Sequence, residues 1–265
     1  MILLMLAGAC VTAEATSPRC NVAEGVLTCD HETTILFDGV EDREVHWQIP
    51  AGDAPADGWP VALGFQGSFA SAELNWEASV DTPAGGLYQA EATDQLLSAG
   101  FAVITPEAPG GGLAAWNTNV PPFAGEWEGA PDDVLMQLIF GGIENGDFGP
   151  LDGSSTVAFG ISSGGYMTSR MALSYPGRMH RLVILSASWA TCVGIACVLP
   201  ESLPADHPPT LFLHGGSDKI VPAFTMQGYA DRLIADGVEV ETFVPVFIGH
   251  EWFAEAPGML VEWVR

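Results

Sequence analysis

Lysine is almost absent from this sequence. Lys219 is the sole example, and with 8 Lys and Arg against 33 Asp and Glu the formal charge is -25. Such a field repels nucleic acid, anionic lipid headgroups and acidic polysaccharides, so no nucleic-acid partner is expected and a neutral or cationic one is favoured. An acid-rich surface also serves simply to keep a chain solvated. A membrane-spanning run is missing at the start, where the apolar stretch Ile2 to Ala7 falls far short of the about 20 residues that cross a bilayer. No C-x-x-C spacing occurs, and His250-Glu251 is followed by Ala254 where a zinc-protease helix would carry its second histidine. No metal and no organic cofactor are therefore expected. Repeats, linkers and low-complexity tracts are also lacking, which leaves a single domain over residues 20–265.

Residues 1–10 have the composition of an export signal, a short apolar run followed by small residues. "LAGAC" resembles a bacterial lipoprotein signal, which would make Cys10 a lipid anchor and the only tie to a membrane, although no Lys or Arg precedes the run and Ala7 stands where leucine is usual. The other four cysteines fall as two close pairs, Cys20 with Cys29 and Cys192 with Cys197. Each pair can close a short disulfide loop, as suits an oxidising compartment. The competing reading, a four-cysteine zinc site, would have to join two pairs far apart in sequence. A secreted, periplasmic or outer-surface protein is expected.

Along the chain, "TTILFDGVEDREVHWQIP" alternates apolar and polar residues about a turn at Asp38-Gly39, a hairpin pattern. "WPVALGF", "FAVITP", "STVAFG", "RLVILSA", "TLFLHG" and "VEVETFVPVFIG" read as strands. Between them, "LYQAEATDQLLSAG", "APDDVLMQLIFGGIEN", "SGGYMTSRMALSYPG" and "AFTMQGYADRLIADG" have helical spacing, and a last helix is expected from about Gly258. This alternation predicts an α/β fold, a mostly parallel central sheet with helices on both faces and an antiparallel hairpin at its start. Sites in such folds form at the carboxyl ends of the strands.

Chemistry concentrates there. Gly160-Ile161-Ser162-Ser163-Gly164 lies between a strand and a helix and matches the G-x-S-x-G nucleophile elbow of α/β-hydrolases. The register selects Ser162, because Ser163 as nucleophile would require glycine at Ile161. A plain helix N-cap would explain one serine but not two spaced glycines. Ser163 would then lend its backbone N–H to an oxyanion. A serine hydroxyl needs a base and an acid to orient that base. Asp218 follows the strand "TLFLH" and His250 follows the last strand, so Ser, Asp and His occur in the expected order. Ser217-Asp218 is also ordinary turn composition, and His250 could be structural. The second oxyanion donor is expected from Gln66-Gly67-Ser68 after "PVALGF", with Ser68 preferred over Gln66.

Those residues, with "WN" at Trp116-Asn117, "DDV" at Asp132 to Val134, "LHGGSDKIVP" and "GHEWF", make the chain resemble the secreted esterase and polyhydroxyalkanoate depolymerase family of α/β-hydrolases, over roughly residues 60 to 265. The resemblance implies hydrolysis of a carboxylic ester through an acyl-enzyme on Ser162, with His250 as base and Asp218 orienting it. A polyester is the leading substrate class. Feruloyl and acetylxylan esterases belong to the same family and remain alternatives, as does a non-catalytic binding lipoprotein.

Trp76, Trp116, Trp127, Trp189 and Trp252 fall in or near predicted loops, several at the catalytic edge. Trp252, Trp116 and Trp189 are candidate substrate-contacting residues, against the alternative that such rings anchor loops. The chain ends soon after His250, so polymer contact is expected from the catalytic domain itself, acting as a monomer. The segment between Ser186 and Asp218 is long enough only for a small lid.

Overall fold

Glu24 and Gly25 both take positive φ, 53° and 81°, and so turn β1 (Cys20–Ala23) back on β2 (Val26–Cys29). The computed structural model describes residues 17–265, and the expected export signal with Cys10 lies outside them. Cys20 and Cys29 face each other in the β1–β2 register and are joined by a disulfide, so the expected loop is a stapled hairpin. Asp38 then accepts from the N–H groups of Val40 and Glu41, both at 2.8 Å, closing the anticipated hairpin between β3 (Glu32–Phe37) and β4 (Asp42–Gln48).

The remaining chain alternates strand and helix. β5 (Trp59–Phe65) leads through a short 3-10 helix, Ala72–Asn75, to β6 (Glu77–Ser79) and α1 (Gly86–Ser98), and β7 (Ala102–Pro106) follows. Next come α2 (Pro131–Asn145), β8 (Leu151–Ile161), α3 (Ser163–Ser174), β9 (Arg181–Leu185), β10 (Thr210–Leu213), α4 (Ala223–Ala235), β11 (Val240–Phe243) and α5 (Ala256–Val264). The main sheet runs β11-β10-β9-β8-β5-β7-β4-β3, parallel from β11 to β7 and antiparallel through β4 and β3. β6 pairs with β2 in a second, three-stranded sheet.

Period-two alternation along the buried strands splits the core into two layers. Leu63, Ile104, Leu182, Ile184 and Phe212 face α2, α3 and α4, where Met136, Met167 and Met226 pack. Ala62, Val103, Val183, Leu185 and Leu213 face α1 and α5, where Leu96 and Leu260 pack. β11 is shorter than the apolar run "VEVETFVPVFIG" predicts. Pro245 has no N–H to continue the ladder, and its carbonyl is taken by Gly216 and Ile248 N–H, which turns the chain toward His250.

Candidate active site

Ser162 follows β8 directly and precedes α3, with φ 56° and ψ -123°, a conformation that costs a non-glycine residue about 1–3 kcal/mol. The glycines around it are required by contact. A Cβ on Gly160 would lie 2.6 Å from the Phe65 carbonyl oxygen and one on Gly165 2.5 Å from the Ala187 side chain, while Gly164 sits closer still to Phe65. The turn is held on β9 by the bond from Ser162 N–H to Leu185 O, 3.0 Å, and Ser162 O accepts from Tyr166 N–H to begin the helix. Ser162 is partly exposed, whereas the Ser163 side chain is buried and its hydroxyl has no hydrogen-bond partner. The two neighbours are thus physically distinct, as the motif register requires.

Asp218 lies in the loop after β10, and its Oδ2 is 2.7 Å from His250 Nδ1. Its other oxygen, Oδ1, accepts from Ile220 N–H at 2.8 Å and Val221 N–H at 2.9 Å. Burial pushes the Asp218 carboxyl up, but hydrogen bonds from His214, His250 and Val221 outweigh it and hold the group well below the carboxylate range. His214 Nε2 also meets Val221 O at 2.7 Å, so this buried histidine shapes the Asp218 loop. The loops of Asp218 and His250 are packed backbone to backbone: Ser217 N–H donates to Ile248 O, and no side chain would fit on Gly215 against Gly249. No hydrogen bond joins His250 to Ser162 in the structure. Such contacts commonly tighten only when substrate is bound.

The loop after β5 lies beside the serine, since a Cβ on Gly67 would sit 3.4 Å from Ser162 Cβ. The Gln66 side chain is turned into the core, where Nε2 donates to Glu107 Oε1 at 2.7 Å, which leaves open the expected role of a backbone N–H from Gln66 or Ser68. Only the backbone of Gln66 faces the loop, and its carbonyl accepts from Trp116 Nε1 at 3.0 Å. Ser68 is half-buried in the same loop. Glu107 also accepts from Ser71 Oγ at 2.8 Å and from Ala72 N–H, so one carboxylate holds both ends of the segment. Burial pushes Glu107 up more than these donors pull it down. Beneath it, the buried Arg43 guanidinium binds Glu107 O, Asp38 and Asp132. Sequence reasoning missed Glu107 and Arg43, which carry no motif.

The tryptophans depart from expectation. Trp116 is 0% exposed, and Trp189 and Trp252 are each 2% exposed, so none offers a ring face to a substrate. Trp116 packs edge-on to Phe65, Trp189 to Tyr229 and Trp252 to Phe159, all within the core layers. They anchor the loops they sit in. Cys192 and Cys197 form the second disulfide, closing a tight turn in which Val193 and Ala196 exchange backbone hydrogen bonds. A cleft lined by Arg181, Glu239 and Trp263 lies at the start of β9, at the other end of the sheet from Ser162, and holds none of the candidate residues.

The strand order and the strained serine turn at the carboxyl edge define an α/β-hydrolase. Solved structures agree at the level of fold. The S-formylglutathione hydrolase of Agrobacterium tumefaciens matches with TM-score 0.63 at 12% identity, covering 94% of this chain and 98% of that one. Esterase 2 of Thermogutta terrifontis matches with TM-score 0.56 at 15% identity, covering 87% and 91%. No family profile matches the chain. A poly(3-hydroxyoctanoate) depolymerase of Pseudomonas fluorescens is 43% identical over 247 residues, 93% of this chain and 88% of the relative. The chain belongs to the family of that depolymerase.

Proposed function

We propose that this protein is a serine-dependent carboxylic ester hydrolase acting on a polyester of the polyhydroxyalkanoate type. The observation that carries the chemistry is the 2.7 Å Asp218–His250 bond at the same sheet edge as the strained Ser162. With Asp218 ionised and accepting from Nδ1–H, His250 presents Nε2 as the base. Ser162 Oγ attacks the ester carbonyl while its proton passes to His250. The resulting oxyanion is held by Ser163 N–H and a second backbone donor in the Gln66–Ser68 loop, with Ser68 preferred. The alkoxide leaves with the proton from His250, and water, deprotonated by the same histidine, releases the acyl group from Ser162.

A polymer is favoured over a small plant-wall ester by the surface around the serine. Phe69, Leu113, Ile195, Ile220 and Phe247 each project from a different loop at the carboxyl edge, and Phe69 and Phe247 are 84% and 93% exposed. Those loops touch in sequence: Gly112 packs on Ala70, Gly194 on Ile220 and Gly216 on Val246. In a chain of charge -25 the stretches 66–72, 108–125, 187–200 and 244–249 carry no charged residue. Apart from Lys219 and Asp218 in the Ile220 loop the rim is uncharged, and such an apolar surface suits an insoluble aliphatic polymer.

Two disulfides fit an oxidising compartment, and no helix among the described residues is long and apolar enough to cross a membrane. We place the protein outside the cytoplasm, as a monomer exported by residues 1–10 with Cys10 as its anchor. The mass of the mature chain and its elution volume test that placement. The chemistry is tested with p-nitrophenyl esters: Ser162→Ala is expected to lose nearly all turnover and Ser163→Ala to keep most of it, since its amide remains. Equal rates for wild type and Ser162→Ala would overturn the assignment. Side-by-side clearing of a polyhydroxyalkanoate emulsion and release of ferulate from a model ester chooses the substrate, and faster ferulate release would overturn the polyester reading.

A further inference from the structure

Away from Ser162, three side chains from separate parts of the chain converge. His31 follows β2, His46 lies in β4 and Glu73 in the 3-10 helix after the β5 loop, and one potential metal-ligand atom of each lies within 4.8 Å of the others. Glu73 Oε2 is 3.3 Å from His31 Nε2 and 3.4 Å from His46 Nδ1. Four ligands about 2.0 Å from a tetrahedral zinc ion are about 3.3 Å from one another, so both spacings match its edges.

The outward nitrogen of His31 is placed as a ligand histidine requires, and that of His46 points at a carboxylate just beyond hydrogen-bond reach. His31 Nδ1 lies 3.2 Å from Cys29 O, a contact only Nδ1–H can make favourably, which leaves Nε2 with its lone pair toward Glu73. His46 Nε2 faces the Glu44 carboxylate at 3.6 Å, is buried and has no hydrogen-bond partner. A small approach of Glu44 would give it one and fix the lone pair on Nδ1. Ligation there displaces the Thr33 hydroxyl, now 3.3 Å from Nδ1. The Trp76 ring covers His31 at 4.8 Å, a dry wall on one side, while Glu73 is half-exposed and leaves a path for entry.

We propose that His31 Nε2, His46 Nδ1 and the Glu73 carboxylate bind a zinc ion, with water completing the shell, as a clasp between β4 and the helix Ala72–Asn75. The clasp bears on the active site through the chain. Glu107 holds Gln66, Ser71 and Ala72, and the metal would hold the next residue, Glu73, so the segment beside Ser162 is gripped at its far end by two independent anchors. Disulfides and catalytic residues take no part.

The test uses the full chain, stripped with chelator and titrated with zinc by calorimetry in excess magnesium, which occupies surface carboxylates. One saturable equivalent is expected, with a rise in thermal midpoint, and cobalt in its place is expected to give the visible bands of a tetrahedral site. Glu73→Gln, at a half-exposed position, is expected to weaken binding more than tenfold, and Glu44→Gln by about 10–100-fold. The absence of saturable binding, or equal affinity in wild type and Glu73→Gln, would overturn the proposal. So would binding that disappears in His250→Ala but persists in His31→Gln, since the zinc would then belong to the Asp218–His250 pair.

Discussion

The Gln66 amide donates to the Glu107 carboxylate at 2.7 Å with both side chains buried, and this bond holds the backbone beside Ser162 from behind. Glu107→Ala would strand the Gln66 amide and the Ala72 N–H without an acceptor. A loss of about 2–4 kcal/mol in stability is expected from two unpaired buried donors. As a positioning residue, Glu107 should affect turnover through the oxyanion loop: kcat for a soluble ester is expected to fall 10- to 100-fold with KM nearly unchanged. Stability loss with full kcat in the folded fraction would show that the bond is purely structural.

Ser162 stores strain that a glycine would not. At φ 56° and ψ -123° the Ser162→Gly variant is expected to gain about 1–2 kcal/mol in urea unfolding while losing ester turnover. Ser162→Ala retains the Cβ and hence the strain, so it should be inactive without that gain. Equal stability of the two variants would mean that the turn is relaxed.

His207 supplies a pH dependence of stability. Burial pushes it from 6.5 down to about 4, and as a neutral ring it donates from Nδ1 to Pro208 O and accepts at Nε2 from Tyr229. Because the folded value is depressed, its contribution is complete above pH 6.5 and is lost as pH falls toward about 4. At one pKa unit per about 1.4 kcal/mol the swing is at most about 3.5 kcal/mol. His207→Gln should therefore show a flatter decline in urea midpoint than wild type across that window. Parallel curves would contradict the buried neutral state.

Phe69→Ser with Phe247→Ser separates adsorption from chemistry. Both rings are exposed, so removing them should leave folding and turnover of short soluble esters unchanged. Retention on polyester granules and the rate of emulsion clearing are expected to fall several-fold. Unchanged clearing would remove the rim from polymer contact.

Much of the architecture was legible because it is encoded locally. Gly160 and Gly164 bracket Ser162 within five residues between a strand and a helix, a spacing readable in the sequence although the backbone that crowds them is Phe65 and Gln66 at the end of β5. The Asp38-Gly39 hairpin closes through Asp38's own side chain. By contrast, β6 has three residues and exists only by pairing with β2, so no periodicity marks it. The aromatic loops misled for a related reason: composition places Trp116, Trp189 and Trp252 near the site but cannot say which way a ring faces.

By itself, then, the sequence determined the alternation of strand and helix, the elbow at Ser162 and the order of Ser162, Asp218 and His250, because hydrophobic period, glycine spacing and chain order can be read along the chain. Tertiary structure alone decided that Glu107 binds Gln66, that Arg43 reaches Asp132, that the tryptophans lie inside, and that His31, His46 and Glu73 meet. Each depends on which distant segments the sheet brings together, and on the cost of leaving a buried polar group unpaired once they are there.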